Sequence, residues 1–160
     1  MRVTTKTNIA VRTLMFCAVN ANRTVRKSEI AKACNASENH LAQVINLLAQ
    51  KGYLVTRRGR GGGLELGREP EDIAVGQVFR DVEEGAPFAE CFNPKTNTCP
   101  LIDCCKLRLA FERALDAFFD ELDSVSLTDL VSDNRQLESL LSMANGIASR
   151  NAADCAAPAN

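Results

Sequence analysis

Three cysteines in the second half of the chain have a spacing that suits a metal or an iron–sulfur cluster. Seven residues separate Cys91 from Cys99, and five separate Cys99 from Cys105. Thiolate sulfur is a preferred ligand of zinc and of iron–sulfur clusters. Structural zinc usually takes four ligands in closely spaced pairs, and the chain lacks two such pairs. The spacing therefore favours a cluster with one further ligand of another kind. A redox-active dithiol and surface cysteines without a role are the alternative interpretations.

The other four cysteines are distributed differently. Cys17 and Cys34 lie in segments with helical periodicity, where a free thiol usually serves packing. Cys155 lies in an Ala- and Asn-rich stretch near the end of the chain, and we expect it to be uninvolved. Cys104 directly precedes Cys105, where a long helix is predicted to begin. A helix N-terminus favours the thiolate form, which is the form that binds iron.

The chain contains no candidate membrane span, because no run reaches about 18 apolar residues. The longest apolar stretch near the start, residues 14–19, is too short for the core of a signal peptide. We therefore expect a cytoplasmic protein. In that reducing compartment, clustered cysteines act as metal ligands or reactive thiols more often than as disulfides.

Charge is divided unevenly along the 160 residues. Residues 1–68 hold 12 Lys and Arg against 3 Asp and Glu, whereas residues 69–160 hold 7 against 17. The content of 46% apolar and 24% charged residues is that of a globular protein with a real core. A basic half joined to an acidic half indicates that the first half binds a polyanion.

The basic half has the element order of a winged helix-turn-helix. Its patterns predict a first helix over 7–20, a short helix over 29–34 capped by Ser28, and a third helix that Ser37 caps and Gly52 ends. After Gly52 the spacing of apolar residues is no longer helical, and the sequence predicts two short strands over 53–56 and 64–66. A turn rich in Gly and Arg joins them. In such a unit the third helix enters the major groove of DNA.

Two groups of residues in this half are candidates for DNA contact. Asn and Gln can each pair with adenine through two hydrogen bonds, and a helix N-terminus binds phosphate. Arginines on a glycine-rich hairpin suit a narrow minor groove. The predicted DNA-binding residues are Ser37, Asn39, His40 and Gln43 on the third helix, and Arg57, Arg58 and Arg60 on the hairpin.

The acidic half is predicted to contain a helix over 71–83, an irregular loop over 85–104 and a long helix from 105. Apolar residues recur along the long helix at helical spacing, at Leu107, Phe111, Leu115, Phe118 and Leu122. We interpret this stripe as the surface that pairs two subunits. The predicted fold is mainly α with a small β-hairpin wing: a winged helix-turn-helix domain (1–84), a cysteine loop (85–105), a dimerisation helix with C-terminal helices (106–148) and a disordered tail (149–160).

Four short stretches resemble one known family. The segments INLLAQKGY at 45–53 and RGRGGGLELG at 58–67 are similar to the recognition helix and wing of the IscR-like winged-helix iron–sulfur regulators. The segments ELD at 121–123 and LTDLV at 127–131 resemble the nitric-oxide-sensing members of that family. The resemblance covers roughly residues 1–140.

The resemblance implies a homodimeric transcriptional repressor that binds an inverted repeat in double-stranded DNA and releases it when nitric oxide attacks its iron–sulfur cluster. The cluster, [4Fe-4S] or [2Fe-2S], would be held by Cys91, Cys99 and Cys105. In such relatives a further ligand, often a carboxylate, comes from the first helix of the other subunit. The matching residue here is Asn8, whose side chain is neutral. The candidates for the fourth ligand are therefore Asn8, Cys104, which is adjacent to Cys105, or a small molecule.

Two alternatives accompany this interpretation. Within the same family, the protein would sense the supply of iron–sulfur clusters or the redox state. In a different class, it would be a thiol-redox or zinc-binding protein without a DNA target. We do not expect an enzyme, because the chain has a single His, no Ser/His/Asp grouping and no phosphate-binding glycine motif.

Overall fold

The computed structural model of the protein describes residues 3–85 and 87–142. Within them, seven α-helices and one two-stranded sheet follow in the order α1 (Thr5–Val19), α2 (Lys27–Ala33), α3 (Glu38–Gln50), β1 (Leu54–Arg57), β2 (Gly63–Leu66), α4 (Val75–Val82), α5 (Lys106–Asp123), α6 (Leu127–Val131) and α7 (Arg135–Leu141). The disordered tail predicted for residues 149–160 lies outside the described residues.

Helices α1, α2 and α3 pack into the three-helix unit that the apolar periodicity predicts. The turn between α2 and α3 passes through Asn35, which adopts a left-handed conformation with φ of 49°. Ser37 caps α3 as predicted, and Gly52 ends it with φ of 76°. The core of the unit consists of fully buried side chains from all three helices, among them Leu14, Phe16, Ile30, Leu41 and Leu48.

The wing consists of β1, β2 and the turn between them. The strands are antiparallel, with Leu54 opposite Leu66 and Arg57 opposite Gly63. Leu64 also pairs with Val25, so the wing is attached to the segment that precedes α2. A Cβ at Gly63 would lie 2.4 Å from the carbonyl oxygen of Val25, and only glycine therefore permits this close approach.

Helix α5 packs against α4 near its C-terminal end. The rings of Phe79 and Phe118 meet edge to face with centroids 6.1 Å apart. No residue of α5 is fully buried. Four residues of the predicted apolar stripe are half-buried, and Phe111 contacts Phe88 with centroids 5.2 Å apart, whereas Leu107 is 60% exposed. Contacts within the chain therefore cover part of the surface that we assigned to subunit pairing.

The structure corrects two local predictions. The single helix predicted over 71–83 is a short 3-10 helix, Pro70–Asp72, followed by α4 from Val75. The two are separate because Ile73 is extended and accepts a backbone hydrogen bond from Leu127, which is incompatible with a continuous helix. Ser28 is not the cap of α2. The helix begins at Lys27, one residue before Ser28, and its N-cap is Arg26. The Glu29 carboxylate accepts the backbone N–H of Arg26 at 2.9 Å.

Candidate DNA interface and cysteine centre

The exposed face of α3 carries the predicted base-contacting residues. Ser37, Asn39, His40 and Gln43 are all exposed. The opposite face is held in the core by Leu41, Val44, Ile45 and Leu48. Ser37 Oγ accepts the backbone N–H of His40 at 3.3 Å, which fixes the first turn of the helix. The helix can therefore present its polar face to a DNA groove while its apolar face stays packed in the core.

The wing places its three arginines on the surface. Arg57, Arg58 and Arg60 are exposed, and glycines with positive φ at positions 59 and 61 shape the turn. Arg57 forms an ion pair with Glu65 at 3.0 Å, and Glu65 also accepts a hydrogen bond from Thr24 Oγ1 at 2.6 Å. Arg57 is therefore held against the sheet, whereas Arg58 and Arg60 lie on the turn itself.

The three predicted cluster ligands lie on one stretch of chain, which we call the cysteine segment (residues 87–105). Cys91, Cys99 and Cys105 are free thiols and partly buried, whereas Cys104 is exposed. Cys91 belongs to the short 3-10 helix Glu90–Phe92, and Cys105 is the N-cap of α5. Among the described residues, no three His, Cys, Asp or Glu side chains are arranged to hold a metal ion. The structure therefore gathers the thiols on one segment without bringing them to one point.

The surroundings of Cys105 fit an anionic group. Its Sγ accepts the backbone N–H of Arg108 at 3.4 Å in the first turn of α5, at the positive end of the helix dipole. The Nε atom of Arg108 is buried and has no hydrogen-bond partner within the described part of the chain. The same guanidinium pairs with Glu112 at 2.9 Å, so only the Nε–H lacks an acceptor. An acceptor on a bound ligand would satisfy this remaining donor. Three thiols on one segment are a suitable set of ligands for an iron–sulfur cluster.

Asn8 does not line a common cleft with these cysteines. It is exposed on the first turns of α1 and lines a shallow cleft with Arg12, Ser37 and His40, at the start of α3. The lining of that cleft includes no residue of the cysteine segment. Within one chain, the candidate fourth ligand therefore lies beside the DNA-binding helix.

The sequence matches the Rrf2 family, described as iron-dependent transcriptional regulators, over residues 3–133. The chain belongs to the Rrf2 family. It is 39% identical over 147 residues to the HTH-type transcriptional regulator NsrR of Geobacillus kaustophilus, covering 91% of this chain and 100% of the relative. It is 38% identical over 144 residues to NsrR of Bacillus subtilis, covering 89% and 99% respectively.

Among solved structures, this Rrf2 chain is similar to T. potens IscR, with a TM-score of 0.67 and 28% identity over 85% of this chain and 90% of that one. These relationships confirm the predicted winged-helix fold and the predicted DNA-binding transcriptional repressor. None of the helices in residues 3–85 and 87–142 combines the length and apolar character that crossing a membrane requires.

Cys17 and Cys34 of this Rrf2 regulator are buried in the helix-turn-helix unit. Burial raises the pKa of the Cys17 thiol to about 12 and also raises that of Cys34. Both thiols are therefore neutral near pH 7 and serve packing, which agrees with the role predicted for them.

Two exposed cationic residues near the start of α3 were not among the residues predicted from the sequence. Arg26 and Lys27 are exposed at the start of α2, and Lys27 Nζ lies 3.2 Å from a carboxylate oxygen of Glu38, the first residue of α3. Both therefore lie on the surface that presents α3. Both residues stand at the N-terminus of α2, the helix before α3. That position was the available sequence signal for phosphate binding, because helix N-termini and nearby cations bind phosphate.

Proposed function

We propose that this Rrf2 regulator is a cytoplasmic, homodimeric repressor that senses nitric oxide through an iron–sulfur cluster and releases its operator when that cluster reacts. Cys91, Cys99 and Cys105 would hold the cluster, with Asn8 or Cys104 as the candidate fourth ligand. The observation that carries the proposal is the cysteine segment itself. Three partly buried free thiols lie on the segment that runs into the N-terminus of α5, and the first turn of α5 contains the buried, unpartnered Arg108 Nε.

The DNA-binding part of the proposal rests on the basic half of the chain. The exposed residues of α3 would read base edges in the major groove, and the wing arginines would bind phosphate or the minor groove. We assign Ser37, Asn39, His40, Gln43, Arg57, Arg58 and Arg60 to this contact, and we add Arg26 and Lys27 as phosphate-binding candidates.

The sensing part rests on donor chemistry and on the relatives named NsrR. When bound, the cluster supplies iron atoms that react with nitric oxide. The residues of this chain would contribute the thiolates, and Arg108 would contribute the one N–H of its guanidinium that has no acceptor. Because Cys105 is both a ligand candidate and the cap of α5, loss of the cluster would free the start of that helix as well as the cysteine segment.

A second subunit is supported by exposed apolar side chains around the start of α5. Leu101, Leu107 and Leu109 are 58%, 60% and 56% exposed. Leu107 and Leu109 are two residues apart on α5 and therefore point to different sides of the helix. Exposed large apolar side chains on both sides of a helix start favour coverage by another chain. A two-fold dimer would present two copies of α3, and its operator would then be an inverted repeat with half-sites one or two helical turns apart.

The test is purification without oxygen, with measurement of iron, acid-labile sulfide and visible absorbance before and after nitric oxide. We expect iron and sulfide in the wild type and their loss in Cys91→Ala, Cys99→Ala and Cys105→Ala, with Cys155→Ala as the matched control. The fraction of operator DNA that is bound should fall as nitric oxide changes the visible absorbance. Zinc or no metal would favour the thiol-redox or zinc-binding class. A cluster that is insensitive to nitric oxide, with DNA binding that follows cluster occupancy, would favour a sensor of cluster supply.

A further inference from the structure

The last turn of α4 and the residues that follow it, Asp81–Glu84, form what we call the junction turn. It leads through Gly85, which has φ of 87°, into the cysteine segment. Its side chains bind two separate parts of the DNA-binding half. One set of contacts reaches the start of α1, and the other reaches the end of α3 and the base of the wing.

Glu83 makes the contact with α1. One oxygen of its carboxylate accepts hydrogen bonds from the hydroxyls of Thr4, at 2.6 Å, and of Thr7. Thr7 is completely buried, and Thr4 is the N-cap of α1. Lys6 Nζ adds a hydrogen bond to the carbonyl oxygen of Val82 at 3.1 Å. Desolvation alone would raise the pKa of Glu83, but the hydrogen bonds from Thr4 and Thr7 outweigh it and lower that pKa.

Asp81 and Glu84 make the contact with α3 and the wing. Tyr53 Oη, at the base of the wing, donates to Asp81 at 2.6 Å. Lys51 Nζ, at the C-cap of α3, lies 3.5 Å from Asp81 and also pairs with Glu84. The same short turn is therefore bonded to the helix that would read DNA and to the helix that carries Asn8.

We propose that Glu83 is a positioning residue that couples the conformation of the cysteine segment to the DNA-binding half. Displacement of the junction turn would remove the charged acceptor Glu83 from the buried Thr7 hydroxyl and leave it only Thr4 Oγ1, 3.2 Å away, as a partner. Loss of a hydrogen bond to a charged group is costly. The junction turn and the first turn of α1 therefore move together. The contacts of Asp81 with Tyr53 and Lys51 transmit this movement to the base of the wing and the end of α3. This inference rests on the proposed function, because it takes the cysteine segment as the sensor.

The experiment compares the affinities of cluster-loaded and cluster-free protein for a duplex selected from random DNA. The ratio of the two affinities measures the coupling, which is typically about 5- to 150-fold in allosteric proteins. Glu83→Ala should keep the cluster absorbance and the cluster-free affinity while lowering the ratio at least about threefold. The isosteric Thr7→Val should lower the ratio in the same direction and remains interpretable if Glu83→Ala does not fold. The exposed Glu71→Ala is the matched control.

A second measurement does not depend on the cluster. Hydrogen exchange of the cluster-free protein should show faster exchange at the start of α1 and around Lys51 in Glu83→Ala than in wild type or Glu71→Ala. Lower melting temperatures of Glu83→Ala and Thr7→Val with an unchanged affinity ratio would overturn the inference and leave a structural role. A wild-type ratio of one would refute the proposed function, and this inference would fall with it.

Discussion

The guanidinium of Arg80 donates hydrogen bonds to both carboxylate oxygens of Asp123, each at 2.7 Å, and thereby ties α4 to the last residue of α5. The Arg80 guanidinium also lies over the ring of Phe119, 4.8 Å from its centroid. These contacts hold the C-terminal end of the helix whose N-cap is Cys105. The two helices are close enough here that Gly76 of α4 has no room for a side chain.

Gly76→Ala should destabilise the protein by about 1–3 kcal/mol, the usual cost of overpacking. A Cβ at this position would lie 2.2 Å from Asp123 Oδ1 and 3.0 Å from the backbone nitrogen of Asp123. Thermal or urea unfolding measures the effect. Adding Asp123→Ala should relieve part of the cost, because only the side-chain clash disappears. A double variant no more stable than Gly76→Ala would show that the backbone contact dominates.

Replacing Arg58 and Arg60 with Ala should lower the salt dependence of DNA binding, by about 0.9 in the slope of log K against log salt for each phosphate group that is no longer bound. Arg57→Ala should have a smaller effect, because Arg57 is paired with Glu65 at 3.0 Å. Titrations at several salt concentrations measure the slope. An unchanged slope would indicate that other residues bind the phosphates, with Arg26 and Lys27 as the next residues to replace.

Asn39→Ala or Gln43→Ala should reduce discrimination between operator and unrelated DNA, by about 1–3 kcal/mol for each base that the variant no longer binds through two hydrogen bonds. Gln50→Ala is the matched control, because Gln50 is an exposed residue at the other end of α3. Competition binding with operator and scrambled duplexes measures the difference. Equal weakening on both duplexes would indicate that these residues contact the DNA backbone.

The stabilising contribution of Asp81 should depend on pH. Desolvation opposes ionisation of Asp81, but hydrogen bonds from Tyr53 and Gln77 and the charge of Lys51 outweigh it and lower the pKa below its ordinary 3.8. A depressed folded-state pKa contributes stability above the unfolded-state pKa, and that stability is lost as pH falls through the folded value. The melting temperature of Asp81→Asn should therefore lie below that of wild type at pH 7 and approach it in acid. A gap independent of pH would contradict this.

The identity of residue 8 should control how long the proposed cluster lasts. An amide oxygen binds iron more weakly than a carboxylate does, so Asn8→Asp should slow the decay of the visible absorbance in air and under nitric oxide. Asn8→Ala should change little if Cys104 or a small molecule is the fourth ligand. Complete loss of the cluster in Asn8→Ala would identify Asn8 as a ligand, and loss only in Cys104→Ala would identify a fourth thiolate.

Several elements could be predicted from the sequence because local interactions decide them. The stripe of Leu41, Val44, Ile45 and Leu48 repeats with the helical period. Ser37 begins the helix by capping it with its side chain, and Gly52 ends it because glycine readily adopts a positive φ. The start of α5 beside Cys105 followed from the helical spacing of apolar residues along it. The exposure of the wing arginines likewise follows from a short hairpin with a glycine-rich turn.

Other features depend on residues that are far apart in the sequence. The carboxylate of Glu83 binds a hydroxyl 76 positions away, and Arg80 pairs with a carboxylate 43 positions away. Such contacts leave no periodic trace, because they arise only when the chain path brings two helices together. The sequence indicates that thiols are the candidate metal ligands of the cysteine segment, but it does not indicate what surrounds them. Only the tertiary structure showed that Arg108 Nε is buried, that Phe88 covers part of the α5 stripe, and that Asn8 lines a cleft with the start of α3.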